Sequence, residues 1–219
     1  SLGILKKYGA QALETKEFLT IPVHASFCKD RAAVNKVHFA DILDWEEEMA
    51  ILQKSFGTLD LFPELSQSAL LMAQRDRYLF GKFSYGKSAI KIWDTNADYS
   101  QRVLNMPLLY KVARPVFAVG SRFLSLPNIP KLGDEIRVWQ LYDLIVDQPS
   151  DLNCILERVR QAALENNIDY LVICLNSQDS GYEQIAKKAW VRLKYLLAFL
   201  PVTELPSPEG PTYFDVSYL

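Results

Sequence analysis

The chain has 219 residues, about half of them hydrophobic, and its 24 Lys and Arg nearly balance 26 Asp and Glu. This length and composition predict a globular protein with a substantial core. The near-neutral charge, without a basic cluster, argues against binding to nucleic acid or an anionic membrane surface. The longest apolar stretch, Tyr195 to Val202, is too short to span a bilayer, and no signal-peptide pattern opens the sequence. We therefore expect a cytoplasmic protein.

The cysteines and histidines do not indicate a metal site. Cys28, Cys154 and Cys174 show no Cys-x-x-Cys spacing, and an odd number of cysteines cannot pair completely. His24 and His38 both flank strand-like segments. We expect no bound metal and no disulfide framework.

The first half of the chain predicts a strand, two helices and a hairpin. Ala12–Val23 has strand composition, and Pro63 suits the first turn of a helix that runs to about Gln74. Asp41 can cap an earlier helix, whose Glu46, Glu47 and Glu48 are assigned to its solvated face. From Tyr78 to Asp94 the alternation of apolar and polar residues predicts a β-hairpin. The apolar stripe of the earlier helix comprises Ile42, Trp45, Met49, Leu52 and Phe56.

The second half predicts a βαβ unit. Ile136–Val146 is the strongest strand pattern, Pro149 opens a helix that ends near Asn166 and Asn167, and Tyr170–Leu175 is a continuous apolar strand typical of a parallel pair. The remaining predicted elements are a helix over Ala97–Arg114 kinked at Pro107, a loop over Ser125–Asp134, a helix over Ser180–Arg192, and strands at Tyr195–Leu200 and Tyr213–Val216.

A phosphate-loop pattern is present at residues 81–88, which read GKFSYGKS. The motif holds phosphates because loop amides and the N-terminus of a following helix surround them. Here Ala89–Trp93 alternates as a strand, so we reject a nucleotide-binding interpretation unless a helix follows Ser88.

Several segments resemble plant hookless-type N-acetyltransferases, which carry two GNAT-like domains in tandem. They are SAIKIWDTNADYSQRVL, FLSLPNIP, LDLFP, the LPSPEGPTYFDVSYL segment and LKKYGAQALETKEFLTIPV. The resemblance implies a mixed α/β GNAT-like fold: a mainly antiparallel sheet with a splayed parallel strand pair and flanking helices. It also implies that residues 1–33 are the terminal strands of a preceding GNAT-like domain and that residues 34–219 form a second one. A preceding domain or a second copy of the chain would then be its partner.

The resemblance implies an acetyl-CoA site between the two parallel strands. In the family a Q/R-x-x-G-x-G/A loop holds the diphosphate, and this loop falls here on Gln148 to Asn153. Asp151 and Asn153 stand where the glycines should be, so backbone amides approach the phosphates less closely and a carboxylate faces them. The cofactor positions carried over are Leu144, Val146, Gln148, Ser150, Asp151 and Asn153.

The family reaction is direct attack of an amine on the thioester, assisted by a base and an acid. Asp143 is the candidate base, and Tyr182 or Tyr195 the candidate acid, with structural tyrosines as the alternative interpretation. Two hypotheses remain open: an N-acetyltransferase-like domain with a degenerate acetyl-CoA loop, and a non-catalytic interaction or regulatory module of a tandem acetyltransferase. The acceptor is not indicated by the sequence.

Overall fold

The computed structural model describes residues 11–24, 31–59, 79–97, 100–105, 114–115 and 129–199. Its helices and strands, in chain order, are β1 (Gln11–Pro22), α1 (Arg31–Val34), β2 (His38–Ala40), α2 (Trp45–Phe56), β3 (Leu79–Tyr85), β4 (Ser88–Asp94), β5 (Gln101–Arg102), β6 (Glu135–Ile136), β7 (Val138–Ile145), α3 (Pro149–Glu165), β8 (Tyr170–Leu175), α4 (Tyr182–Ala186) and β9 (Val191–Phe199).

Seven strands form one mixed sheet in the order β2-β3-β4-β7-β8-β1-β9, and β5 pairs separately with β6. Neighbours in the large sheet are antiparallel except β7 and β8, which are parallel and joined through α3. The predicted α/β class, a mainly antiparallel sheet with one parallel pair and flanking helices, is confirmed.

The N-terminal strand lies inside this sheet. β1 pairs with β8 on one side and with β9 on the other, and Leu19 and Ile21 on it belong to the core. The assignment of residues 1–33 to a preceding domain stays a prediction.

The two faces of the sheet carry different helices. Ser88 on β4 contacts the first turn of α3, and Ile90 and Ile92 share its side of the strand by alternation, so we call this the α3 face. Lys91 points the other way and contacts Glu48 of α2, which defines the α2 face. The main core lies under α3. Its buried members there include Phe83, Trp139, Leu141, Leu152, Ile155, Val159, Leu171 and Ile173.

The helix α3 forms as its sequence predicts. Pro149 occupies the first turn, where its missing N–H costs no hydrogen bond, and the helix ends at Glu165 with Asn166 as its C-cap residue. Asn167 follows with φ +55°, a left-handed conformation that asparagine tolerates. The whole predicted apolar stripe is buried, namely Leu152, Ile155, Leu156, Val159 and Ala163.

The helix α2 differs from its prediction in two respects. It is capped by Asp44, whose carboxylate accepts from the N–H of Glu46 at 3.0 Å, and not by Asp41. Ile42 therefore precedes the helix and is exposed. The prediction that Glu48 lies on the solvated face is wrong: its side chain is buried, and two lysines of the sheet supply compensating charges there.

The helix predicted over Ser180–Arg192 is also wrong in extent. Only Tyr182–Ala186 is helical, and Val191 already begins β9, since the chain must return to pair with β1.

The β3–β4 hairpin is confirmed, with Gly86 at φ +60° in its turn. Within Ala97–Arg114, the segment Gln101–Arg102 is a strand and not a helix.

Several predictions lie outside the described residues. They concern the helix over Pro63–Gln74, most of the segment 97–114, the first part of the loop 125–134, Cys28, and the strand at Tyr213–Val216. Of the helices that the structure does describe, none is long and apolar enough to cross a membrane.

Candidate functional site

The pairing of the two parallel strands ends short of their C-terminal ends, and we call the unpaired part the opening between β7 and β8. The paired register runs from Val138 and Tyr170 to Leu141 and Ile173, whereas β7 continues to Ile145 and β8 to Leu175. Just beyond the last pair, β7 contains a bulge against β4, where one residue of β4 opposes two of β7. The bulge bends β7 locally and ends its regular pairing with β8.

Asp143 forms this bulge and adopts φ +48°, an unusual conformation for a residue with a side chain. Its carboxylate lies 3.1 Å from Lys91 Nζ, and the same ammonium lies 3.1 Å from Glu48. Glu48 in turn accepts a hydrogen bond from the ammonium of Lys82. We call these four groups the charge cluster: Asp143, Lys91, Glu48 and Lys82. The candidate base is therefore already ion-paired on the α2 face.

Tyr182 lies on the α3 face, at the start of α4. Its hydroxyl donates to Glu17 Oε2 at 2.9 Å, and this hydrogen bond is the main reason why the pKa of Tyr182 is raised above its usual value. Glu17 also lies 3.5 Å from Lys194 Nζ. A raised pKa keeps this phenol protonated at neutral pH, and its proton is engaged by the carboxylate.

Tyr195 lies on β9, opposite Lys16 of β1, and its ring meets that of Phe18 edge-on with centroids 5.0 Å apart. These contacts put it on the α2 face, the opposite side of the sheet from Tyr182. It shares a face with Asp143, but β8 and β1 separate the two strands, a distance of about 14 Å at the usual strand spacing. The three candidate catalytic residues do not converge on one point.

The segment aligned with the diphosphate loop begins α3. Gln148 is the N-cap residue and makes no side-chain capping bond, and Asn153 Nδ2 donates to the carbonyl of Pro149 at 3.4 Å. Asp151 lies in the first turn, where its carboxylate accepts from Ser88 Oγ at 3.3 Å and from Ser150 Oγ at 3.4 Å. A negative side chain thus occupies the positive end of the helix dipole.

The β3–β4 turn covers this end of α3. Ser88 is buried and also accepts from the backbone N–H of Asp147 at 2.9 Å. A Cβ added to Gly86 would lie 3.3 Å from Asp151 Oδ2. The phosphate-loop pattern is consequently part of a hairpin packed on α3, which does not directly follow it in the sequence, and β4 rather than a helix comes next.

Leu144 and Val146 border the opening between β7 and β8 and pack against the core. Across from them is Gly181, where an added Cβ would lie 3.1 Å from Val146 and 2.7 Å from Leu152. Gly181 also has φ +87°. The backbone before α4 therefore packs directly on Leu144 and Val146, two of the predicted cofactor positions. This contact narrows the space between β7 and β8.

Two further features were not evident from sequence. Gln140 Nε2 is buried on β7 without a hydrogen-bond partner in the described structure, and Gln140 shares the α2 face with Tyr142. Burial also raises the pKa of the Cys174 thiol to about 12, so it is not a reactive thiolate. Among the residues that are described, no cluster of three His, Cys, Asp or Glu side chains is arranged to hold a metal ion.

No protein-family model matches this sequence, and no curated protein matches it.

Proposed function

We propose that this chain is a GNAT-like N-acetyltransferase domain with a degenerate acetyl-CoA loop. Support for the family comes from a parallel pair that separates after Leu141 and Ile173, a bulge at Asp143, and a helix that starts directly after the first strand of the pair. In the family, acetyl-CoA lies between such a pair of strands, and its diphosphate lies at the start of such a helix.

The proposal that the acetyl-CoA loop is degenerate rests on one observation, the position of the Asp151 carboxylate. It lies in the first turn of α3, hydrogen-bonded to Ser88. A diphosphate at this helix end would meet a like charge, and it would have to displace a carboxylate that already interacts with the helix dipole. We therefore expect acetyl-CoA to bind this chain weakly.

Thermal unfolding with acetyl-CoA tests the proposal. A ligand at a hundred times its dissociation constant stabilises the native state by about 2.7 kcal/mol, which is a shift of several degrees for a protein of this size. We expect a negligible shift at millimolar acetyl-CoA and no resolvable heat in titration calorimetry. A micromolar dissociation constant would contradict the degenerate loop.

Restoring the loop gives a sharper test. The double substitution D151G/N153G removes the charge and admits the backbone amides, so it should create measurable affinity for acetyl-CoA. Asp151→Asn is the matched control, because it removes only the charge and should recover less. If neither variant binds, the cofactor does not occupy this end of α3 and the acetyltransferase assignment fails.

A second candidate function is that of a non-catalytic interaction module, and the exposed edge of β9 supports it. Its outer edge has no partner among the described strands, and Leu193 and Tyr195 on it are each about half exposed. An open strand edge with apolar side chains is a typical protein interface. A second copy or a preceding GNAT-like domain would suit it.

Light scattering after gel filtration tests the self-association version of this candidate. The chain should form dimers at high concentration, and L193K/Y195K should shift it to monomers, whereas Lys194→Gln, on the opposite face, should not. A monomer at all concentrations would exclude pairing of two copies through β9.

A further inference from the structure

A cavity of about 310 Å³ opens on the α3 face, away from the opening between β7 and β8. It lies between the second half of α3, the end of β1 and the segment that follows α4. Arg160 on its wall is nine residues beyond Asp151, which corresponds to about 14 Å along the helix axis. The cavity is therefore separate from the diphosphate loop.

The cavity has an apolar interior. Ile21 and Leu171 rise from β1 and β8 beneath it, and Leu156 closes it from α3. All three side chains are at least nine-tenths buried, which gives the floor a fixed shape. Trp190 lines the cavity and remains 44% exposed. Its indole offers a flat surface on which an aromatic ring can stack.

The charges around the cavity do not cancel. Arg160 is neutralised by Glu157, to which its Nε donates at 3.2 Å, and a further guanidinium N–H donates to the carbonyl of His24. Lys187 and Lys188 also line the cavity, and both are exposed. Lys187 has a loose contact of 3.8 Å with Glu183, whereas the ammonium of Lys188 has no ion pair within the described ranges. The rim is thus positively charged.

We propose that this cavity binds a small aromatic carboxylate. The ring system would enter over Ile21 and Leu171 and stack on Trp190, while the carboxylate would stay at the rim near Lys187 and Lys188. The volume is at the lower end of the range for ligand pockets, which suits a compact ligand of one or two fused rings. This site is independent of whether acetyl-CoA binds at α3.

Titration of the chain with 2-naphthoate tests the site, with calorimetry for affinity and amide chemical shifts for location. We expect shifts at Ile21, Leu171 and Trp190, and weaker binding of the neutral 2-naphthamide. Exposed ion pairs contribute modestly, so K187Q/K188Q should weaken 2-naphthoate binding about fivefold and leave 2-naphthamide unchanged. Trp190→Ala should weaken both ligands.

Lys194→Gln serves as the control, because Lys194 is an exposed lysine on β9 that does not line the cavity. It should leave both affinities unchanged. The proposal is overturned if 2-naphthoate does not bind at millimolar concentration, if acid and amide bind equally well, if K187Q/K188Q matches the parent chain, or if the shifts cluster at Asp151.

Discussion

The charge cluster consists of ions that are largely removed from solvent. Two lysines and two carboxylates meet beneath α2, and Lys91 also lies 5.6 Å from the ring centre of Trp45. Removing ions from water is costly, and here opposite charges within about 3 Å offset that cost. The cluster is electrically balanced, so loss of any one member leaves a buried charge without full compensation.

Asp143→Asn should therefore lower the free energy of unfolding by about 3 kcal/mol, the range found when one partner of a buried ion pair is removed. Asparagine accepts the left-handed backbone at this position, so the loss reports the charge and not strain. Urea unfolding measures it. Glu135→Gln, at an exposed carboxylate, should change stability by less than about 0.5 kcal/mol. Equal effects of the two substitutions would show that Asp143 is not coupled to Lys91.

The Tyr182–Glu17 hydrogen bond predicts a pH dependence. The pKa of Tyr182 is raised in the folded protein, so its contribution to stability is complete below the ordinary tyrosine pKa of about 10 and disappears as pH rises through the folded value. Tyr182→Phe should be less stable than the parent chain at pH 7 to 9, and this difference should vanish in strong alkali.

Equilibrium unfolding of both chains from pH 7 to 11 tests this prediction, with Tyr195→Phe as a control because Tyr195 is half exposed and its hydroxyl has no comparable acceptor among the described residues. A stability difference that stays constant through pH 11 would mean that the hydroxyl does not donate to Glu17.

Sequence patterns predicted the structural role of a single residue where that role depends only on neighbouring positions in the chain. Asp151 at a helix start and Asn167 at a helix end follow from capping and backbone preferences within a few positions. The burial of Glu48 could not be predicted in this way, because its lysine partners lie 34 and 43 positions away, on β3 and β4. A run of three glutamates at a helix start is ordinarily solvated, so only tertiary contacts distinguish the third.

Among the elements, β1 is one whose neighbours in the sheet could not be predicted from its sequence pattern. Its composition predicted a strand, and the need to pair its backbone predicted a neighbour, but either another chain or this sheet would satisfy that need. The structure has it between β8 and β9, where Glu17 to Thr20 face a partner on both sides. Local sequence does not encode that choice, because the hydrogen bonds of any sheet edge are alike.

Amide hydrogen exchange tests this position of β1. The amides of residues 17–20 should exchange only through global unfolding, at rates like those of residues 171–173 in β8, which are also flanked on both sides. In β9, amides on the outer edge should exchange faster than those that bond β1. Rapid exchange throughout β1, with β8 protected, would show that the strand is not part of the folded sheet.

At the level of the whole molecule, the βαβ unit from β7 to β8 was predictable because its strand, helix and strand patterns are strong and its crossover follows a general rule. The order of the sheet was not, since β1 lies beside strands formed more than 145 positions later. The same long-range pairing decides the candidate site: Ser88 meets Asp151 only once the hairpin and α3 are packed together.

The sheet order implies that β9 is joined to the other described strands only through β1. Deleting residues 1–24 would remove the buried side chains of Leu19, Ile21 and Val23 and expose the facing edges of β8 and β9. Burial of three such side chains contributes about 5–9 kcal/mol, comparable to the total stability of a domain. The truncated chain should lose its cooperative thermal transition in circular dichroism.

A synthetic peptide of residues 11–24 should restore that transition when it is added in excess, because it supplies both hydrogen-bonded edges and the missing core. The same peptide with Leu19→Asp should fail, since it would bury a carboxylate at a position with no exposed surface. If the truncated chain unfolds cooperatively without any peptide, residues 25–219 fold without β1 and β1 is an addition to that fold. Rescue by the unmodified peptide alone would instead establish β1 as an integral strand of the fold, whichever domain residues 1–33 descend from.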